Sequence, residues 1–121
     1  MQRWDGAIGA YERGLSAWLR QRVQRGNDAR YATLLGDMYR IQQHADAAKQ
    51  AYALARKQQT TSRTTALPPD VLNRYFKLAS SYQHSGRCPQ ALAYARSALQ
   101  LTSDDAFRAW AQRLELQCAL P

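Results

Sequence analysis

The sequence predicts an all-helical fold, and three observations predict it. Apolar residues recur every three or four positions along nearly the whole chain. No segment alternates apolar and polar residues over a useful length, which removes the signature of a half-buried strand. Ala, Leu, Gln and Arg fill most positions, against six Gly and four Pro, so the backbone is biased toward helix.

The elements follow in order. Ala7, Ile8, Tyr11, Leu15, Trp18, Leu19 and Val23 form the stripe of one long amphipathic helix, which Gly26 closes as a C-terminal cap. Asn27-Asp28 is an N-cap pair for a second helix; Ala32, Leu35, Gly36 and Tyr39 line one of its faces, and it should end near Gln43. A third helix is expected from about Ala45 to Gln58, with Ala48, Ala51, Tyr52 and Ala55 on one side. Residues 60–68 lose all period and are rich in Thr, which reads as a surface loop. Pro69-Asp70 restarts the pattern as proline at a first helical position does, and Leu72, Tyr75, Leu78, Ala79 and Tyr82 carry it until Gly86. Helix five spans Pro89 to about Leu101 on Ala91, Leu92, Ala95 and Ala98. Thr102 and Asp105 have capping-box spacing, opening a sixth helix striped by Phe107, Trp110, Leu114 and Cys118.

An internal repeat joins these elements. Leu35-Gly36-x-x-Tyr39 is followed nine residues later by Ala48, then Tyr52 and Ala55; Leu78-Ala79-x-x-Tyr82 is followed nine later by Ala91, then Ala95 and Ala98. This resembles the tetratricopeptide repeat, whose helix-turn-helix unit carries Leu-Gly and Tyr on its first helix and small residues with an aromatic on its second. Gly86-Arg87 with Pro89-Gln90-Ala91 is similar to the turn between the two, and Trp4-Asp5-Gly6-Ala7 with Tyr11 is similar to a second helix standing alone. The repeat length, 48 minus 7 and 91 minus 48, is 41 and then 43, longer than the common form at about 34. Long units of this kind resemble those of the kinesin light chain and of bacterial regulators and scaffolds.

The resemblance implies a right-handed α-solenoid of about six helices, each antiparallel to its neighbour. It is expected to occupy residues 1–121 as a single domain: 4–26 a partial repeat, 29–59 a repeat, 60–68 a loop, 69–101 a repeat and 104–118 a capping helix. It also implies a concave wall built from the first helix of each unit. Projection onto that wall gives Arg30, Thr33, Asp37 and Arg40 from one unit and Asn73, Phe76, Lys77, Ser80 and Gln83 from the other, as a groove for a peptide or partner subunit. Thr33-Leu34 and Phe76-Lys77 stand where the kinesin light chain has its paired Asn, and Asp37 and Ser80 where carboxylate-clamping members have Asn, so neither specificity transfers. Among bacterial relatives the combination resembles scaffolds of polysaccharide-export or pilus-assembly machines of the envelope.

Charge opens an alternative. The chain carries 17 basic and 9 acidic residues, net +8, and most of the surplus is Arg. Arg13, Arg20, Arg22, Arg25 and Arg30 gather on and after the first helix, and Lys49, Arg56, Lys57 and Arg63 follow in a stretch without an acid. Such zones suit an acidic protein segment, an anionic polysaccharide or nucleic acid, because Arg forks match carboxylate and phosphate; a solvated surface is the plain alternative. Nucleic acid is disfavoured, since no zinc-finger spacing, aromatic sheet motif or recognition helix is evident. A third reading is the peptide-sensing domain of a regulator.

Cys88 lies fifteen residues before Ser103 and Cys118 fifteen after it, so in an antiparallel pair joined there both reach the same height. Either a disulfide staples the last helix, which would indicate an oxidising compartment such as the periplasm, or two small residues pack in reduced form, which fits the cytoplasm. His44 and His84 lack the partners of a zinc site, and no phosphate loop, serine elbow or carboxylate pair is found. No enzyme activity, metal or cofactor is expected, and no apolar run reaches membrane-spanning length.

Overall fold

The computed structural model describes residues 2–25, 29–57, 67–100, 102 and 104–119, with side chains at 6–24, 30–57, 67–100, 102 and 104–118. These residues form six α-helices and no strand: α1 (Gln2–Arg25), α2 (Ala29–Ile41), α3 (Ala45–Lys57), α4 (Pro69–His84), α5 (Cys88–Leu99) and α6 (Asp105–Ala119). The expected cap at Gly26, the N-cap pair Asn27-Asp28 and most of the 60–68 loop lie outside the described residues. None of the described helices is long and apolar enough to cross a membrane.

The chain gathers into two compact units, Arg13–Thr65 and Met1–Glu12 with Ala66–Pro121. In the first, Leu15, Leu19 and Val23 of α1, Ala32, Leu35 and Met38 of α2, and Ala48 and Ala51 of α3 are buried. Trp18 meets Tyr31 edge-on at 5.5 Å between ring centres, and α2 packs along α3. The approach is closest at Gly36, where a Cβ would lie 2.7 Å from Cδ1 and Cε1 of Tyr52. Only a residue without a side chain lets that ring lie on the α2 backbone.

In the second unit, Val71, Tyr75, Leu78, Ala79 and Tyr82 of α4 face Ala91, Tyr94, Ala95 and Ala98 of α5, all buried. The rings of Tyr82 and Tyr94 stack at 5.6 Å. Both hydroxyls donate to one oxygen of Glu12, Oε2, at 2.8 Å and 2.5 Å. Glu12 is the single acid between Asp5 and Asp28, and it interrupts the apolar series Ile8, Leu15, Leu19. A carboxylate on an apolar stripe needs donors, and the tyrosines supply them. α6 packs on α5 and buries Phe107, Ala111 and Leu114.

The two helix pairs turn in the same way. At the end of α2, Gln43 takes φ 64°, its N–H bonds to the Arg40 carbonyl, and the His44 N–H bonds to that of Tyr39. At the end of α4, Gly86 takes φ 80°, its N–H bonds to Gln83 O, and Arg87 N–H to Tyr82 O. Both are left-handed caps of the Schellman type, and the first bonds of the following helices, Ala48 to His44 and Ala91 to Arg87, also correspond. Every pair is separated by 43 residues, the offset at which the sequence repeats.

Two helix boundaries differ from expectation for local reasons. α6 is capped by Asp104 rather than by a box of Thr102 and Asp105: Asp104 Oδ1 accepts the Phe107 N–H at 2.8 Å, and the Thr102 hydroxyl accepts the Asp104 N–H at 3.1 Å. α5 starts at Cys88, one residue before Pro89, with no side-chain cap at Arg87.

Candidate functional site

The α4 and α6 helices border an open apolar cavity of about 260 Å³ lined by Pro69, Leu72, Asn73 and Phe76 of α4, and by Ala106, Phe107 and Trp110 of α6 with its cap Asp104. Pro69 starts α4 at the rim because its missing N–H is not needed in a first turn. Asn73 and Phe76 follow at spacings of four and three from Pro69, which brings them onto one face. Phe76 is 38% exposed and meets Trp110 edge-on at 4.8 Å, and Trp110 leans on Phe107 at 5.4 Å. Asn73 and Asp104 are the polar side chains of the lining. The cavity is just smaller than those that enclose drug-sized molecules. It is therefore suited to an apolar side chain, with Asn73 available to backbone amides alongside.

The candidate wall residues divide between the units. Asn73 and Phe76 come together in this cavity, and Lys77 is exposed on the same helix. Ser80 is half-buried, and Gln83 hydrogen-bonds Gln117 of α6 through its amide. On α2, Arg30 and Thr33 are half-buried and Arg40 is exposed, but Asp37 is only 9% exposed. Its carboxylate accepts the Tyr52 hydroxyl proton at 2.5 Å. Arg40 donates from Nε to the Tyr52 oxygen at 3.3 Å and lies 3.8 Å from Asp37.

Asp37 thus faces α3 instead of an open wall. The close approach at Gly36 brings the phenol within reach of the carboxylate one residue on. Burial, reinforced by the bond to Asp37, raises the Tyr52 phenol above its ordinary value, and the bond to Tyr52 raises the Arg40 guanidinium. These three groups satisfy one another. In the cavity region, by contrast, apolar surface stays open to solvent.

Among the basic candidates, Arg20, Arg56 and Lys57 are exposed, as are Arg13 and Lys49. Arg22 lies over the Trp18 ring at 4.9 Å, a cation–π contact that holds its guanidinium against α1. The Arg25 side chain and Arg63 lie outside the described residues. Cys88 and Cys118 are joined in a disulfide with their Cα atoms 5.7 Å apart.

Sequence reasoning placed Trp110 inward with Phe107 and so missed the α6 side of the cavity. The buried stripe is Phe107, Ala111, Leu114, and Trp110 stands on its flank, half-buried. The signal was present in the spacing: four and then three residues through Ala111 continue from Phe107 to Leu114 as well as three and then four through Trp110. Spacing admits either residue, and α6, which packs on α5, buries the alanine. Comparison of the chain with protein-family models, with curated proteins and with solved structures found no match.

Proposed function

We propose that this chain is a non-enzymatic interaction scaffold of tetratricopeptide type, whose helix pairs stack as a right-handed α-solenoid and hold a peptide segment or partner subunit. The paired turns 43 residues apart and the side-chain-free contact at Gly36 support the repeat reading. The observation that carries the function is the open cavity edged by Phe76 and Trp110. On this reading α4 and α6 are successive first helices, and the cavity belongs to the concave groove. One apolar side chain of the partner fills it, with Asn73 and Asp104 ordering the adjacent backbone. The disulfide supports an oxidising compartment, which agrees with a place in a periplasmic polysaccharide-export or pilus-assembly machine.

The test is a peptide array probed in parallel with wild-type protein and Phe76→Ala. Truncating an aromatic anchor costs about 2 kcal/mol or more, so the strongest wild-type peptides should weaken by about thirtyfold or more. A full set of peptides bound equally by the variant refutes the assignment. A second reading, binding of an anionic polysaccharide or other acidic polymer, is favoured by Arg13, Arg20, Lys49, Arg56 and Lys57, all exposed and without an ion pair among the described residues. It predicts binding to an acidic polysaccharide that is abolished in moderate salt and is indifferent to Phe76→Ala.

A further inference from the structure

We propose that the Cys88–Cys118 disulfide is a redox latch on the aromatic cavity: a dithiol reductant releases α6 and dismantles the Phe107–Trp110 wall, while α4 and α5 stay folded. The binding consequence rests on the role given to the cavity above; the release of α6 does not.

Among the described residues the attachments of α6 are of unequal strength. Its buried stripe is Phe107, Ala111 and Leu114, whereas Leu116 is 70% exposed and Glu115 and Gln117 also face solvent. Among the described residues the polar side-chain links at its far end are the pair Arg96–Glu115, at 3.1 Å and exposed on both sides, and the exposed Gln83–Gln117 bond. Surface links of this kind add little. The disulfide therefore is the strong attachment of that end, joining the last turn of α6 to the first residue of α5. By contrast, α4 and α5 hold each other through two long buried faces and through the tyrosine hydroxyls on Glu12, none of which involves a cysteine. Local opening follows such differences in packing.

Both cysteines are half-buried rather than enclosed, so a thiolate can approach. One thiolate of the reductant attacks a bridge sulfur, forming a mixed disulfide and freeing one cysteine, which takes a proton. The second thiol of the reductant then displaces the other cysteine. In sum the protein gains two electrons and two protons, and the dithiol becomes a disulfide. With the bridge intact, the open state of α6 is confined to a closed segment of 30 residues anchored on α5. Removing that confinement favours opening by a factor on the order of 10²–10³.

Hydrogen exchange read by mass spectrometry tests the latch on oxidised protein, on protein reduced in place with dithiothreitol, and on a Cys88→Ser/Cys118→Ser variant. Expected is a loss of protection in α6 on the order of 10²–10³, with α4 and α5 changing by less than about tenfold. Unchanged α6 exchange overturns the proposal, and so does an equal loss in α4 and α5, which would make the bridge a brace of the whole unit. Should the variant fail to fold, the protein reduced in place decides. In parallel, N-acetyl-leucinamide is titrated while the Trp110 indole and Asn73 amide resonances are followed. The probe should shift both in oxidised protein and neither after reduction. Failure to bind the oxidised form removes the cavity's binding role but leaves the exchange result to judge the latch.

Discussion

Replacing Gly36 by alanine places one methyl group where the structure leaves no room for it. The added Cβ would lie 2.7 Å from two carbons of the Tyr52 ring and 3.0 Å from a third, so the ring or the helix must move. Overpacking of this kind costs about 1–3 kcal/mol. If the ring swings away, it gives up its bond to the buried Asp37, a further loss of about 0.5–1.5 kcal/mol. Against this stands a gain of about 1 kcal/mol from the better helix propensity of alanine. The net expectation is a destabilisation of about 1–3 kcal/mol. Urea unfolding followed by circular dichroism measures it as a shift of the midpoint at constant slope.

Two companion variants isolate the cause. In a Tyr52→Ala background the obstacle is gone, so Gly36→Ala should stabilise by up to about 1 kcal/mol. At Gly6, where a Cβ meets nothing within 4 Å, the same substitution should also stabilise. A double-mutant cycle then gives a coupling between positions 36 and 52 of at least about 1 kcal/mol. If Gly36→Ala stabilises the wild-type protein as Gly6→Ala does, the close approach of α2 and α3 at this point is refuted.

Three further outcomes are expected. Gly86→Ala should destabilise by about 1–2 kcal/mol through backbone strain alone, since its Cβ would meet no neighbour, while Gln43→Gly should leave stability equal or higher; a Gly86→Ala that melts higher than wild type, or a Gln43→Gly that melts lower, would contradict the shared turn. Glu12→Ala should cost about 1–3 kcal/mol by withdrawing the acceptor of two tyrosine hydroxyls, and Glu12→Gln less, because an amide oxygen still accepts; equal losses would show that the acceptor is immaterial. The Tyr52 phenol, raised above 10.0 in the folded protein, favours folding while neutral. Its contribution is present below that pH and lost as pH rises through the folded value, so wild type should converge on Tyr52→Phe at high pH, and a constant difference would rule this out.

Helix periodicity was legible because it is local: Tyr75, Leu78 and Tyr82 return to one side of α4 whatever surrounds them, although the first turn buries Val71 and leaves the expected Leu72 half-buried at the cavity. The repeat was legible for a related reason. Equal offsets between Leu35 and Leu78, Tyr39 and Tyr82, and Ala48 and Ala91 demand equivalent backbone, and the two left-handed turns supply it, one with glycine and one with glutamine. The register of Cys88 and Cys118 needed only the rise per residue and one turn. The cap of α6 was less legible, because Thr102, Asp104 and Asp105 all carry capping side chains and only backbone geometry selects Asp104.

What the sequence by itself determined is therefore the number and order of the helices and part of each apolar face, together with the offset that makes two pairs alike. Tertiary structure decided which polar groups turn inward and which aromatics stay open. Asp37 was assignable to an open wall until Gly36 allowed Tyr52 to reach it, and Glu12 was a lone acid until two tyrosines 70 and 82 residues away converged on one oxygen. Trp110 became the edge of a cavity while Ala111 took the buried position beside it. Each of these outcomes depends on the size and donors of a side chain on another helix, which periodicity within one helix does not encode.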